Sequence, residues 1–185
     1  MDLQKPDRPL LWTTFSLYLI LAFWIIALKF NAEWLPELGE YFRALPLWER
    51  VGRRIIPFYG MIKSGWYFDK DYFMNVVIYL PLGIYLPFLL PARNKYLHTA
   101  WIIPLSSILF EFLQLVTGFG GCDGTDVVCN TLGGFLGLLT YAVLLKRLSP
   151  KAVNAVNIAV ILLLALPAGY AVVNTLLHLE LYRIY

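Results

Sequence analysis

Two acids three residues apart, Asp123 and Asp126, precede the amide Asn130 and the close-set glycines Gly133, Gly134 and Gly137, within a run that is otherwise apolar. Read as a helix, Asp126, Asn130, Gly133 and Gly137 fall at i, i+4, i+7 and i+11, so an acid, an amide and two bare backbone positions share one stripe. Asn75, Glu111 and Gln114 stand in other apolar runs. Such groups are expensive inside a membrane and are by default functional residues or parts of interhelical hydrogen bonds. Glu111 has the chemistry of a general acid or base. Asp123 and Asp126 have the chemistry of a divalent-cation pair, but two acids fall short of the usual ligand set. Capping at the positive end of the following helix explains both without a metal. Neither metal nor cofactor is therefore expected. The structural alternative is a polar clasp, in which Glu111, Gln114 and Asn130 hydrogen-bond one another and join their helices.

These groups must be positioned by membrane helices. The 185 residues are 59% hydrophobic and only 15% charged, with a mean hydropathy of +0.66, more apolar surface than one soluble domain covers. The net charge of +3 is spread over several short segments, and no basic, aromatic-interleaved patch for nucleic acid is present. Cys122 and Cys129 would lie roughly 10 Å apart on a helix, too far for a disulfide. Their spacing, without a nearby histidine, matches no common zinc motif. His98 and His178 fall near helix ends, as interfacial residues do.

Hydropathy marks five spans, at residues 10–30, 72–90, 97–118, 126–145 and 153–177, in a single all-α transmembrane domain over 1–185. The first is too long for a cleavable signal and reads as a retained helix. Between the first two spans, Trp34, Leu38, Tyr41 and Leu45, then Trp48, Val51 and Ile55, recur at helical spacing among charges. They suggest interfacial helices broken at Pro46 and Pro57, or an aromatic-rich loop against the bundle. Short turns with Arg93, Lys95, Lys146, Arg147 and Lys151 contrast with the turn between spans three and four, which has no Lys or Arg. Positive charge favours the cytoplasm, so the N-terminus is expected inside and the C-terminus outside. This direction brings Asn75, Glu111, Gln114, Asp126 and Asn130 to similar depth near the outer face. Ser107, Glu111, Gln114 and Gly118 share a helical face that is expected to meet the Asp126 stripe. Arg53 or Arg54 in the long loop is in reach to neutralise Glu111, the alternative being that both are solvated.

These residues resemble the VanZ-like family of membrane proteins. The resemblance rests on Leu28-Lys29-Phe30, Arg54-Ile55-Ile56-Pro57-Phe58, Met74-Asn75-Val76, Pro81-Leu82-Gly83, Phe110-Glu111-Phe112-Leu113-Gln114 and, most specifically, Asp123 through Gly137. Many members carry Asp in place of Thr125 and an Arg shortly before Asp123; this chain has neither and looks like the branch in which Thr is familiar. The resemblance implies a bacterial cell-membrane protein linked to lowered susceptibility to the glycopeptide teicoplanin, and it supplies no reaction. The expected function is binding or shielding at the outer face by Asn75, Glu111, Gln114, Asp123, Asp126, Asn130 and Arg54, with Gly133, Gly134 and Gly137 packing the helices. Expected partners are membrane lipids and either a lipid-linked wall precursor or teicoplanin. The alternatives are an enzyme on a polyprenyl-phosphate or other envelope lipid, and a small transporter or flippase.

Overall fold

The computed structural model describes residues 6–28, 40–41, 44–63, 70–91, 93–117 and 122–184, and among them every regular element is helical. In chain order these are α1 (Arg8–Leu28), α2 (Leu47–Val51), a 3-10 turn (Gly52–Ile55), α3 (Tyr59–Lys63), α4 (Lys70–Leu89), α5 (Lys95–Thr117), α6 (Gly124–Val143), a 3-10 turn (Leu145–Arg147) and α7 (Pro150–Ile184). Of these, α1, α4, α5, α6 and α7 are the five helices long and apolar enough to cross a membrane. Each starts two or three residues before the apolar run that hydropathy detects, because backbone hydrogen bonding continues into flanking residues such as Arg8, Lys70 and Lys95. The 35 residues of α7 also continue past Leu177, making it about 52 Å long against a hydrocarbon core of about 30 Å.

Pro46 and Pro57 of the long connection act as expected. The helix α2 begins directly after Pro46, whose φ of −62° suits a helix start, and α3 begins two residues after Pro57. Trp34 and Leu38 of the anticipated first interfacial helix lie outside the described residues.

The tightest contact joins α4 to α6, and it is made backbone to backbone. A Cβ on Gly133 would strike the carbonyl of Val76, one on Gly137 the carbonyl of Leu80, and one on Gly83 the carbonyl of Gly134. Gly83 thus answers the α6 glycines from the facing helix. Gly134 instead faces Ile103 of α5. The expected meeting of one α6 stripe with one α5 face is therefore corrected: α6 divides its polar and glycine positions between two neighbours. Successive helical residues point about 100° apart, so the bare faces of Gly133 and Gly134 open toward different helices.

The helix α1 closes the other side of α4 with the buried residues Leu11, Phe15, Tyr18 and Ala22. Tyr18 Oη donates to the Ile78 carbonyl at 3.0 Å, beside the turn that Pro81 deprives of a donor. Asn157 of α7 accepts from Tyr85 Oη at 3.1 Å. Elsewhere α7 presents leucines outward, with Leu166 83% exposed, a surface that lipid rather than protein covers.

Adding a methyl group at Gly133 or Gly137 presses side chain against rigid backbone, an overpacking that typically costs about 1–3 kcal/mol. Gly133→Ala and Gly137→Ala are expected to lower the melting temperature of detergent-purified protein. Gly169→Ala, in open space on α7, is expected to leave it unchanged or slightly raised, as thermal unfolding will show.

Candidate functional site

The polar groups gather where α6 begins. Asp123 is the N-cap of α6, and its carboxylate accepts from Thr125 N–H at 2.8 Å, placing negative charge at the positive helix end. The same residue's backbone N–H donates to Glu111 Oε2 at 2.7 Å. Glu111, only 2% exposed, thereby ties α5 to the first turn of α6.

Three further bonds lock neighbouring helices around this point. Asn75 Nδ2 of α4 donates to Asp126 Oδ1 at 2.7 Å. Asn130 Nδ2 donates to Ser107 Oγ of α5 at 2.9 Å, and Asn130 Oδ1 has no donor among the described residues. Gln114 Nε2 donates to the Ile26 carbonyl at 2.8 Å, satisfying one of the last α1 carbonyls, which have no partner within their own helix. The clasp is thus built differently from the expected direct contact among Glu111, Gln114 and Asn130. Each bonds a different element, and α6 receives two of the three attachments.

Between these bonds lies a cavity of about 470 Å³, lined by Asn75, Glu111, Gln114, Asp123, Asp126 and Asn130. Ile25, Ile26 and Ile78 give it apolar walls, and Lys70, Asp71 and Tyr72 at the start of α4 also line it. All of the expected cluster except Arg54 therefore shares one space. The Arg54 side chain lies outside the described residues.

The short helices form a strap over the start of α6. The Ile55 carbonyl sits where a Cβ on Gly124 would be, and Cys122 N–H donates to the Arg50 carbonyl at 3.2 Å. Phe58, in a left-handed conformation with φ of 60°, donates its N–H to Thr125 Oγ1 at 2.9 Å. That conformation costs a non-glycine residue about 1–2 kcal/mol, offset by the Thr125 bond and by the edge-on packing of its ring against Tyr72. Sequence reasoning missed two of these roles. Thr125 is a hydrogen-bond acceptor for the strap. Arg50 is the described arginine that reaches α5, donating through Nη1 to the Leu115 carbonyl at 3.1 Å.

The cavity is rich in acceptors, with the four carboxyl groups of Asp71, Glu111, Asp123 and Asp126 and several amide oxygens against the one ammonium of Lys70. It suits a ligand that brings N–H, O–H or ammonium donors, whereas a phosphate would meet carboxylates at close range. Among the described residues, no three of His, Cys, Asp and Glu are grouped to hold a metal ion. Both cysteines are free thiols. The Cys122 thiol, in the turn before α6, is pushed above its ordinary pKa by burial first and then by the negative charge of Glu111 and Asp123.

That shift gives a pH-dependent signature. Neighbouring negative charge disfavours the thiolate, so alkylation of Cys122 in a Cys129→Ala background is expected to accelerate only above the pH at which an ordinary thiol reacts. Glu111→Gln is expected to move that inflection downward. A maleimide rate profile against pH will test both.

The comparisons with known proteins cover this region. The VanZ/LLP1 family model matches residues 15–146, which contain most of α1, all of α2 to α6 and every residue lining the polar cavity. The chain is 32% identical over 156 residues to Protein VanZ of Enterococcus faecium, covering 84% of this chain and 88% of that protein. No solved structure matches.

Proposed function

This chain belongs to the VanZ/LLP1 family, and from that premise we propose that it is a multi-pass protein of the bacterial cell membrane that lowers susceptibility to teicoplanin by binding the drug at the outer face. The observation that carries this reading is the acceptor-lined cavity of about 470 Å³ at the α6 end of the bundle. The peptide and sugar groups of a glycopeptide offer the N–H and O–H donors that such a cavity takes. An apolar groove of about 400 Å³ between α1 and α7, with Phe23 and Trp24 on one wall and Ala171 and Leu176 on the other, supports a ligand that also carries an acyl chain. Teicoplanin carries one and vancomycin does not.

The outward direction of the cavity rests on charge. Arg93, Lys95, Lys146, Arg147 and Lys151 fall in the turns and first helical residues at the opposite end of the helices, and basic residues there favour the cytoplasmic side. A lipid-linked wall precursor is the second ligand consistent with shielding, but its pyrophosphate fits poorly beside Glu111, Asp123 and Asp126. The same like-charge conflict weighs against an enzyme acting on a polyprenyl phosphate. Binding by itself protects the target and needs no chemical step.

Losing one hydrogen bond to a ligand costs about 1 kcal/mol, or about five-fold in affinity. Asn75→Ala, Gln114→Ala and Asp126→Asn are therefore each expected to reduce protection against teicoplanin by about that factor at unchanged membrane abundance. Vancomycin susceptibility is expected to be the same with and without the protein. Full teicoplanin protection in all three variants, or equal protection against both drugs, would contradict the proposal.

A further inference from the structure

At the far end of the bundle from the acceptor-lined cavity, three cations stand around a second cavity of about 530 Å³. Arg8, Lys95 and Lys146 line it, and no acid does. Among the described residues none of the three is in an ion pair. Arg8 Nη2 makes a single 3.4 Å bond to the Leu89 carbonyl. Lys95 Nζ donates to Tyr141 Oη and sits 4.8 Å from the centre of that ring. Lys146 stands exposed on the turn Leu145–Arg147. The nearest acid in sequence, Asp7, is engaged in the first turn of α1, its Oδ1 accepting from Leu10 N–H at 3.3 Å.

The backbone adds to this charge. The helices α1, α5 and α7 all start at this end, and their first residues, Arg8, Lys95 and Pro150, each line the cavity. Three positive helix ends therefore meet the carbonyl ends of α4 and α6 here, Arg8 taking the Leu89 carbonyl, and the three side-chain cations tip the balance toward an anion. The remaining walls are apolar, with Leu11, Phe88 and Val153 among them. A small hydrophilic anion would leave those walls unused. A lipid would place its phosphate among the cations and its glycerol and upper acyl carbons against the apolar residues.

We propose that this cavity is a binding site for the phosphate headgroup of an anionic membrane lipid, distinct from the acceptor-lined cavity at the other end of the bundle. The lipid would join the starts of α1, α5 and α7 to the end of α6, where three cations line one cavity without an acid among its lining residues. Basic pockets between membrane helices bind anionic headgroups in this manner, and each cation near such a surface contributes about five-fold in affinity.

The test titrates detergent-purified full-length protein with dioctanoyl phosphatidic acid, dioctanoyl phosphatidylcholine and inorganic phosphate, reading retained ligand by native mass spectrometry. Phosphatidic acid is expected to bind, with inorganic phosphate and phosphatidylcholine each at least about ten-fold weaker. Lys146→Gln, an exposed substitution that leaves the packing untouched, is expected to weaken phosphatidic acid binding about five-fold. Arg8→Gln and Lys95→Gln combined with it should weaken binding further. Lys63→Gln, on α3 and away from the cavity, is expected to have no effect. Equal binding of inorganic phosphate would overturn the lipid assignment. Equal loss in Lys63→Gln and Lys146→Gln, or no loss in Lys146→Gln, would overturn the site.

Discussion

The carbonyls of Val76 and Leu80 lie against the bare α-carbons of Gly133 and Gly137, while Gly83 returns the contact toward the Gly134 carbonyl. This backbone seam between α4 and α6 sets the rest of the arrangement. In a membrane there is little hydrophobic drive to bring helices together, so close packing of small residues and hydrogen bonds must do it. Interhelical hydrogen bonds between side chains average only about 0.6 kcal/mol there, and at most about 1.7. One methyl group forced into the seam offsets two or more of them. The seam therefore fixes the distance, the bond from Asn75 to Asp126 selects register within it, and the bond from Asn130 to Ser107 sets α5 against α6.

Given that distance, the start of α6 becomes a junction. Asp123 joins α6 to α5 through Glu111, Asp126 joins it to α4, and Thr125 and Gly124 receive the strap formed by α2, α3 and the turn between them. The bonds surround the cavity without filling it. The same carboxyl and amide groups both hold the helices and line the space, so joint and site are one set of residues. The two ends of the bundle carry opposite chemistry, acceptors where α6 starts and cations where it ends, roughly 22 Å apart along its axis from Asp126 to Tyr141.

Much of this was legible in the sequence. Long apolar runs announced the helical membrane fold, and the depth of Asn75, Glu111, Gln114, Asp126 and Asn130 in their runs placed them in one layer, where they share a cavity. The i, i+4, i+7 pattern described one face of α6, but a face is wider than one neighbour. Periodicity alone did not say that Gly133 and Gly137 meet α4 while Gly134 meets α5. Nor did it single out Arg50, whose reach to the Leu115 carbonyl of α5 depends on where the short helices of the long connection lie. The role of Thr125 was hidden because its partner is a backbone N–H sixty-seven residues earlier, and a backbone donor leaves no mark in composition. The basic cavity was visible only as charges in short turns, read for their bearing on topology. Its walls come from residues distant in sequence, such as Leu11, Phe88 and Val153.

The acceptor-lined cavity at the start of α6 is proposed to receive teicoplanin, beside a seam in which Gly83, Gly133 and Gly137 let α4 and α6 meet backbone to backbone. Amide hydrogen exchange on the protein in nanodiscs, with and without the drug, tests it most directly. Binding there is expected to slow exchange in residues 122–130 and 70–78, with no change at the α5 start near Lys95, and vancomycin is expected to protect neither segment. Unchanged exchange in residues 122–130 at saturating teicoplanin, or protection confined to the opposite end of the bundle, would contradict the account.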